Sequence, residues 1–396
     1  MTNNWPSVAF EEIPWDSQGN FGLSRTQASK ARGPYLAAMP PFIADLEPRL
    51  SPNLIAACED AATQLVRFDA TSGNSSIPLS SVLLRTESAS SSEIEQLTAS
   101  AKQIALAGLG SASSSNAKLI HANVKSMEAA IRLADRLEPE SIIEMQRALL
   151  AESAPAIMGR WRTEQVWIGN VSPTPHTAAY VPPHHARVPD LMADVMKFAK
   201  REDVSILALV ALTHAQFETI HPFEDGNGRT GRALVQSMLR ATGITTEVTV
   251  PVSAGLLMDT RKYISALNEY RIGNIEPIIW CFVDATFAAL YSGARLRSQI
   301  QALQEGWIQK LEGLGPAHSA ANQALVHLPA LPVISVQALA HRLGVTFNTA
   351  ALAIDTLATA GILTQSSNSR RNRTWQADEM LKVLDDFASR ARRGRA

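Results

Sequence analysis

Unbalanced charge, cysteine and long apolar runs are all scarce in this sequence, and each scarcity removes a class of protein. Thirty-six Lys and Arg against 37 Asp and Glu leave a formal net charge of −1 over 396 residues. Wholesale electrostatic binding to nucleic acid needs a positive excess, so that class is set aside. Two cysteines, Cys58 and Cys281, cannot build a disulfide framework, and their apolar neighbours predict buried thiols in a reducing compartment. The opening stretch (MTNNWPSVAFEEIPWD) has neither the basic start nor the apolar centre of a signal peptide. No apolar run reaches the ~18 residues of a membrane helix, so the expectation is a cytoplasmic protein with no membrane contact. What remains, 46% hydrophobic and 18% charged, is a globular composition with length for two or three domains and one sizeable core.

The polar chemistry is concentrated in one place, His221-Pro222-Phe223-Glu224-Asp225-Gly226-Asn227-Gly228-Arg229-Thr230-Gly231-Arg232. Residues 204–220 before it and 233–239 after it carry apolar positions at helical spacing, so the string reads as a loop between two buried helices. Gly226 and Gly228 free the backbone to turn, and successive amides at a helix start form a concave anion site. Arg229 and Arg232 lie on neighbouring positions of the first turn, where they can grip phosphate oxygens. Asp225 is a hard oxygen ligand of the kind Mg²⁺ takes beside substrate phosphates. His221 is of the one residue type whose unperturbed pKa, about 6.5, suits it to accept a proton from an attacking hydroxyl. A tight interhelical turn with surface ion pairs would need one or two of these groups, not all of them. A Walker A loop would need a lysine after the glycines and a strand before them, and neither is present. The chemistry indicated is phosphoryl or nucleotidyl transfer.

The string resembles the signature of the Fic family, His-Pro-Phe-x-(Asp/Glu)-Gly-Asn-Gly-Arg-x-x-Arg, at every defined position. Members of that family mostly move the AMP of ATP onto a protein hydroxyl, so the resemblance implies a protein adenylyltransferase with ATP as substrate and Mg²⁺ as cofactor. It implies His221 as the base and Asp225 as the metal ligand. It also implies a cradle of Asn227 and Gly228 for the α-phosphate, with Arg229 and Arg232 on the outer phosphates. Phe223, Gly226 and Gly231 complete the nucleotide loop, and the base is expected against Tyr263, Leu267 and Arg271. Removal of AMP from a modified protein is the rival within enzymes. From another class, the chain is a DNA-binding regulator whose nucleotide site acts as a sensor. The phosphate-transferring branch of the family carries lysine where this chain has Gly228.

Along the chain, residues 1–50 read as an extended arm rich in Pro, Gly and aromatics. A helix is expected over Leu54–Ala70, followed by a Ser/Gly loop from Thr71 to Ser76. The next helix should break in the serine run and restart there, with Ser91 or Ser92 as its cap and Glu93 and Glu95 in its first turn. Ser91-Ser92-Glu93-Ile94-Glu95-Gln96 also resembles the family's inhibitory pattern (Ser/Thr)-x-x-x-Glu-(Gly/Asn), departing from it at Gln96. The resemblance implies that Glu95 pairs with Arg232 and fills the γ-phosphate position.

Residues 117–150 give two amphipathic helices. Residues 159–169 then alternate bulky and polar, as a strand does, and a Pro-rich stretch follows. A hairpin near 160–185 is therefore expected, whose edge holds an extended segment of a target protein; the family calls it the flap. His214, Glu218 and His221 are spaced as a metal triple, as the pair His184 and His185 also suggests, but the first lacks the His-Glu-x-x-His arrangement and His221 is better used as the base. After a helix ending near Gly243 comes a short irregular segment, Val248–Val252, then helix over Thr260–Arg271 and 275–312. Residues 313–332 have the composition of a linker. Beyond them 335–344 and 346–360 form helices, and a hairpin follows; together these resemble a winged helix-turn-helix. Arg370, Arg371 and Arg373 at its tip and Arg390, Arg392, Arg393 and Arg395 in the tail could meet phosphates. The candidate recognition helix has no basic residue, so DNA contact stands level with dimerisation or target docking.

The expected fold is mainly α: a Fic-type helical bundle with a short β-hairpin flap and a small C-terminal winged helix-turn-helix. The expected division is 1–115 for the arm and inhibitory helix, 116–312 for the catalytic core, 313–332 for the linker and 333–396 for the last module. The family resemblance covers about 35 to 310. Self-modification and a homodimer are among the expected associations.

Overall fold

The computed structural model describes residues 5–15, 24–73, 78–169, 174–314, 316, 318–366 and 373–393. It is mainly helical, and its elements divide between two compact units. Residues 1–62, 126–242 and 260–283 make the first; residues 63–125, 243–259 and 284–396 make the second. In chain order the elements are β1 (Ala9–Ile13), α1 (Arg25–Lys30), β2 (Tyr35–Met39), α2 (Pro52–Gly73), α3 (Leu79–Ile94), α4 (Ala101–Gly108), α5 (Ser115–Arg132) and α6 (Pro139–Leu150). They continue with α7 (Val188–Ala199), α8 (Ile206–Ile220), α9 (Asn227–Ala241), α10 (Val252–Leu257), α11 (Thr260–Arg271) and α12 (Glu276–Leu311). The last are α13 (Ala320–His327), β3 (Val333–Ile334), α14 (Val336–Leu343), α15 (Phe347–Thr359), β4 (Thr364–Gln365), β5 (Trp375–Gln376) and α16 (Asp378–Arg393).

In the first unit α8 is the central rod. Its sequence is apolar on every side, and every residue from Leu207 to Ile220 is buried, as expected of a helix with neighbours all round. It packs against α7, α9 and α11, while α6 packs on α9. The N-terminal arm is not simply extended: β1 and β2 pair antiparallel, Ala9 opposite Met39 and Ile13 opposite Tyr35. The Ala38 N–H continues the pairing to the Val181 carbonyl at 3.0 Å. Small clusters of Val8, Ala38 and Tyr180 and of Tyr35, Ala37 and Val181 close that corner. The alternating stretch 159–169 does not become a strand. Its ladder is reduced to one antiparallel bridge, Ile168 with Tyr180, because Arg162 turns inward to bind carbonyls instead of pointing outward.

In the second unit, α3 runs unbroken through the serine run, contrary to the break expected there. Ser88 and Ser92 donate their hydroxyls to the carbonyls of Leu84 and Ser88, at 2.9 and 2.8 Å. With these hydroxyls satisfied inside the helix, the serine run stays helical and buried. Ser91 and Ser92 are interior residues with no exposure, not caps. Glu93 and Glu95 consequently stand at the C-terminal end, Glu95 as the C-cap, and the next cap is Ser100, which accepts from the Gln103 amide. Gln96 follows with φ 62°, in the left-handed region. Its N–H donates to Glu93 and the Leu97 N–H to Ser92, at 2.8 and 3.1 Å, which is the Schellman way to end a helix.

Two carboxylates organise the rest of this unit. Asp69 of α2 accepts the amides of Thr246, Glu247 and Val248, and Glu87 accepts both the amide and the hydroxyl of Ser253. The helix α2 extends to Gly73, past the start expected for the Ser/Gly loop. Residues 248–251 are irregular as expected, α10 starting at Val252, whereas α13 lies inside the expected linker. In the last module β3, β5 and β4 form an antiparallel sheet in that order, with α14 ended at Gly344. Arg370, Arg371 and Arg395 lie outside the described residues, as does the side chain of Arg393.

The expectation about apolar runs needs one correction. By length and composition α12 could cross a membrane, with a stretch of mean hydropathy 1.3, of which 56% is buried inside the protein.

Candidate active site

The end of α8 and the start of α9 bring the polar string to one loop. α8 ends because His221 takes the left-handed conformation, φ 50° and ψ 64°. That is unusual for a residue with a side chain and persists where surroundings enforce it. Asn227 holds the loop closed. Its Oδ1 accepts the Phe223 amide at 2.8 Å and its Nδ2 donates to the Phe223 carbonyl at 2.9 Å. A carboxamide is needed, since both a donor and an acceptor are used. Phe223 is itself fully buried, tilted against Trp161 at 4.9 Å between ring centroids, so it anchors the loop in the core.

Two glycines are required by space as much as by conformation. Gly226 has φ 84°, and a Cβ there would come 2.8 Å from Leu149 Cδ2. At Gly231 a Cβ would come 2.9 Å from Phe217 Cδ1, so Gly231 permits the close crossing of α8 and α9.

The charged groups sort by exposure. Arg229 and Arg232 are 6% and 2% exposed, whereas the Asp225 side chain is 57% exposed and 3.4 Å from Arg229. Asp225 Oδ1 also accepts the Gly226 amide at 2.6 Å. His221 keeps 21% of its side chain exposed, with Nδ1 3.9 Å from Glu218 Oε2. Glu218 lies equally near His214, 3.9 Å from Nε2. His214 Nε2 meets the Tyr263 hydroxyl at 2.6 Å. Burial, with a further push from the charge of Arg232, lowers the His214 pKa to about 3. It is therefore a neutral core histidine. Among the described residues no three His, Cys, Asp or Glu side chains gather as a metal cluster.

The three residues expected around a base are packed differently from one another. Tyr263 and Leu267 are 3% and 8% exposed, and the Tyr263 hydroxyl is engaged by His214. Arg271 lies over the Tyr180 ring, 3.7 Å from its centroid. The Tyr180 hydroxyl donates to the Thr219 carbonyl at 2.8 Å, so Arg271 and Tyr180 brace the last turn of α8. Ser91 and Glu95 belong to the second unit and His221–Arg232 to the first.

Sequence reasoning missed two residues that hold this loop. Gln146 of α6, fully buried, accepts the Gly159 amide at 2.5 Å and donates to the Asp225 carbonyl at 3.4 Å. Arg162, 2% exposed, donates to the carbonyls of His221 and Glu164. A glutamine on an amphipathic helix and an arginine in an alternating stretch both read as surface residues. Only the burial of a polar side chain marks them, and a sequence does not show burial directly.

Residues 136–239 match the family model described as the Fic/DOC family. A protein adenylyltransferase fic-1 of Caenorhabditis elegans is 28% identical over 201 residues, 47% of this chain and 36% of that protein. A protein adenylyltransferase Fic of Nematostella vectensis is 30% identical over 152 residues, 38% of this chain and 32% of that protein. The chain thus spans about a third of the length of the curated relatives it matches. Among solved structures, a Fic family protein from Desulfovibrio desulfuricans G20 shares the fold with a TM-score of 0.54 at 17% identity, over 83% of this chain and 97% of that one. The loop from His221 to Arg232 therefore lies within the segment that matches the Fic/DOC family model, in a helical fold shared with a solved Fic family protein.

Proposed function

We propose that this chain transfers the AMP of ATP to a serine, threonine or tyrosine hydroxyl of a protein. The observation that carries the reading is the placement of a part-exposed His221 beside a helix start that holds two buried arginines and an exposed aspartate. The hydroxyl oxygen attacks the α-phosphorus, the bond to the bridging oxygen of the β-phosphate breaks, and pyrophosphate leaves. His221 takes the hydroxyl proton. Its Nδ1 lies 3.9 Å from Glu218 Oε2, and Nε2 is assigned to the substrate hydroxyl. The first amides of a helix have no intrahelical partner, which suits those at the start of α9 to the developing charge, and Asn227 fixes the turn that presents them. Arg229 and Arg232 hold the outer phosphates. The exposed carboxylate of Asp225 fits Mg²⁺, which usually takes only one or two protein carboxylates. Bound there, the ion would neutralise phosphate charge.

Two finer points belong to the same reading. Glu95 is proposed to restrain the site by pairing with Arg232. Support comes from its position as the exposed C-cap of α3, followed by a residue in the left-handed region that glycine or asparagine would occupy most readily. The last module, expected over 333–396, is read as a winged helix-turn-helix used for docking protein or a second copy, in preference to DNA. Phe347 and Leu352 of α15 are 61% and 68% exposed, and α15 has no basic residue. Of the tail arginines, Arg390 already donates to Gln299 and Arg392 pairs with Glu93.

The test is transfer of label from α-labelled ATP. Wild-type protein should label itself or an added target, and His221→Ala should abolish labelling while still binding ATP. Full labelling by that variant removes His221 from the mechanism, and labelling from γ-labelled ATP instead replaces AMP transfer with phosphate transfer.

A further inference from the structure

Arg162 is a buried cation, and every acceptor that the described residues offer it is a main-chain carbonyl. Its Nε donates to His221 at 2.9 Å, its Nη1 to Glu164 at 3.1 Å, and its Nη2 to Pro183 and, at 3.5 Å, to Ile220. Its own amide donates to the Pro222 carbonyl at 3.0 Å. These acceptors come from three places. Ile220, His221 and Pro222 form the end of α8 and the start of the loop. Glu164 precedes the bridge residue Ile168, and Pro183 follows its partner Tyr180.

The charge is suited to this position. The carbonyls at a helix C-terminus lack partners and carry the negative end of the helix dipole, so a cation stabilises them. Burial pushes the Arg162 pKa down to about 10, which still leaves it charged at neutral pH. The guanidinium has five donors in a rigid plane, so it can satisfy several carbonyls in fixed directions, which a lysine ammonium cannot do. One of the carbonyls it grips belongs to His221, the residue held in the left-handed conformation.

We propose that Arg162 is the positioning residue of this site: one planar guanidinium fixes the peptide of His221 and ties both limbs of the 164–183 segment to it. The imidazole and the segment expected to hold the target are thereby set in register by a single side chain. This rests on the AMP-transfer reading for its catalytic consequence, while the positioning itself stands on the hydrogen bonds.

A misplacement of about 1 Å at a reacting group costs on the order of a hundredfold in rate. Arg162→Ala should therefore lower kcat by about that factor while KM for ATP changes little, since Arg229 and Arg232 are untouched. Added guanidinium should recover activity in Arg162→Ala, and Arg162→Lys should remain impaired. A parallel loss of ATP affinity without rescue, or full activity in the lysine variant, overturns the proposal. Hydrogen exchange separates this claim from the proposed function. If wild-type protein transfers no AMP, the function reading fails on its own. The positioning then stands if Arg162→Ala speeds exchange at 164–168, 180–185 and 221–223 while α8 and α9 stay protected. It falls if exchange is unchanged or accelerates throughout both helices.

Discussion

Replacing Gln96 with glycine should stabilise the end of α3, although glycine usually weakens a helix. Gln96 lies just past the helix, at φ 62°, and its side chain is exposed. A side-chain-bearing residue in the left-handed region costs roughly 1–2 kcal/mol. Glycine removes that cost but gives the unfolded chain extra freedom worth about 0.4–1 kcal/mol. The net expectation is a gain of about 0.5–1 kcal/mol. The amides of Gln96 and Leu97, which donate to Glu93 and Ser92, report it directly. Because the chain forms two units, global melting need not be a single transition; native-state hydrogen exchange of the 90–100 segment is the better assay. Protection of the Leu97 amide should rise about two- to fivefold in Gln96→Gly, the rate equivalent of that free energy. Gln96→Ala keeps the Cβ and should show no gain. Equal protection in the glycine and alanine variants, or a loss in glycine, would refute the argument from backbone strain.

Glu95→Gly should raise both transfer and self-labelling from α-labelled ATP if the carboxylate restrains the site; unchanged labelling removes the restraint. Asn227→Asp replaces the Nδ2 donor with an acceptor facing the Phe223 carbonyl. It should cost on the order of 2 kcal/mol in urea unfolding and abolish transfer, and a variant as stable and active as wild type contradicts the pinned turn. His214 should make stability depend on pH. The folded ring stays neutral down to about pH 3, whereas the unfolded ring binds a proton below about 6.5. Its contribution is therefore complete above that value and falls by about 1.4 kcal/mol per pH unit below it, or roughly 2 kcal/mol at pH 5. Urea unfolding at pH 7.5 and 5.0 should show a smaller decline in His214→Gln than in wild type; equal declines would mean that the ring is not buried neutral.

The helices most legible in the sequence were those with a long one-sided or all-round apolar pattern. The expected Thr260–Arg271 helix matches α11, and the residues flanking the polar string became α8 and α9. Local signals failed where side chains turned against their usual habits. The serine run looked like a helix break because serine favours caps, yet the buried hydroxyls of Ser88 and Ser92 found carbonyls one turn back. The 159–169 stretch looked like a strand because it alternates, yet Arg162 points into the protein. In both places a contact distant in sequence, or a carbonyl inside the fold, outweighed the local preference.

The chemistry of the site is a property of the sequence alone. A histidine, an aspartate, an asparagine between glycines and two arginines at helical spacing admit few uses other than handling a phosphate ester. Only the tertiary structure decided how that string is held. Asn227 spends both ends of its amide on Phe223, Gly231 lets two helices cross, and Arg162 and Gln146 reach the loop from segments far away in the chain. Residue types carry reactivity wherever they stand. Their positions depend on burial and on carbonyl partners that exist only once the chain is folded.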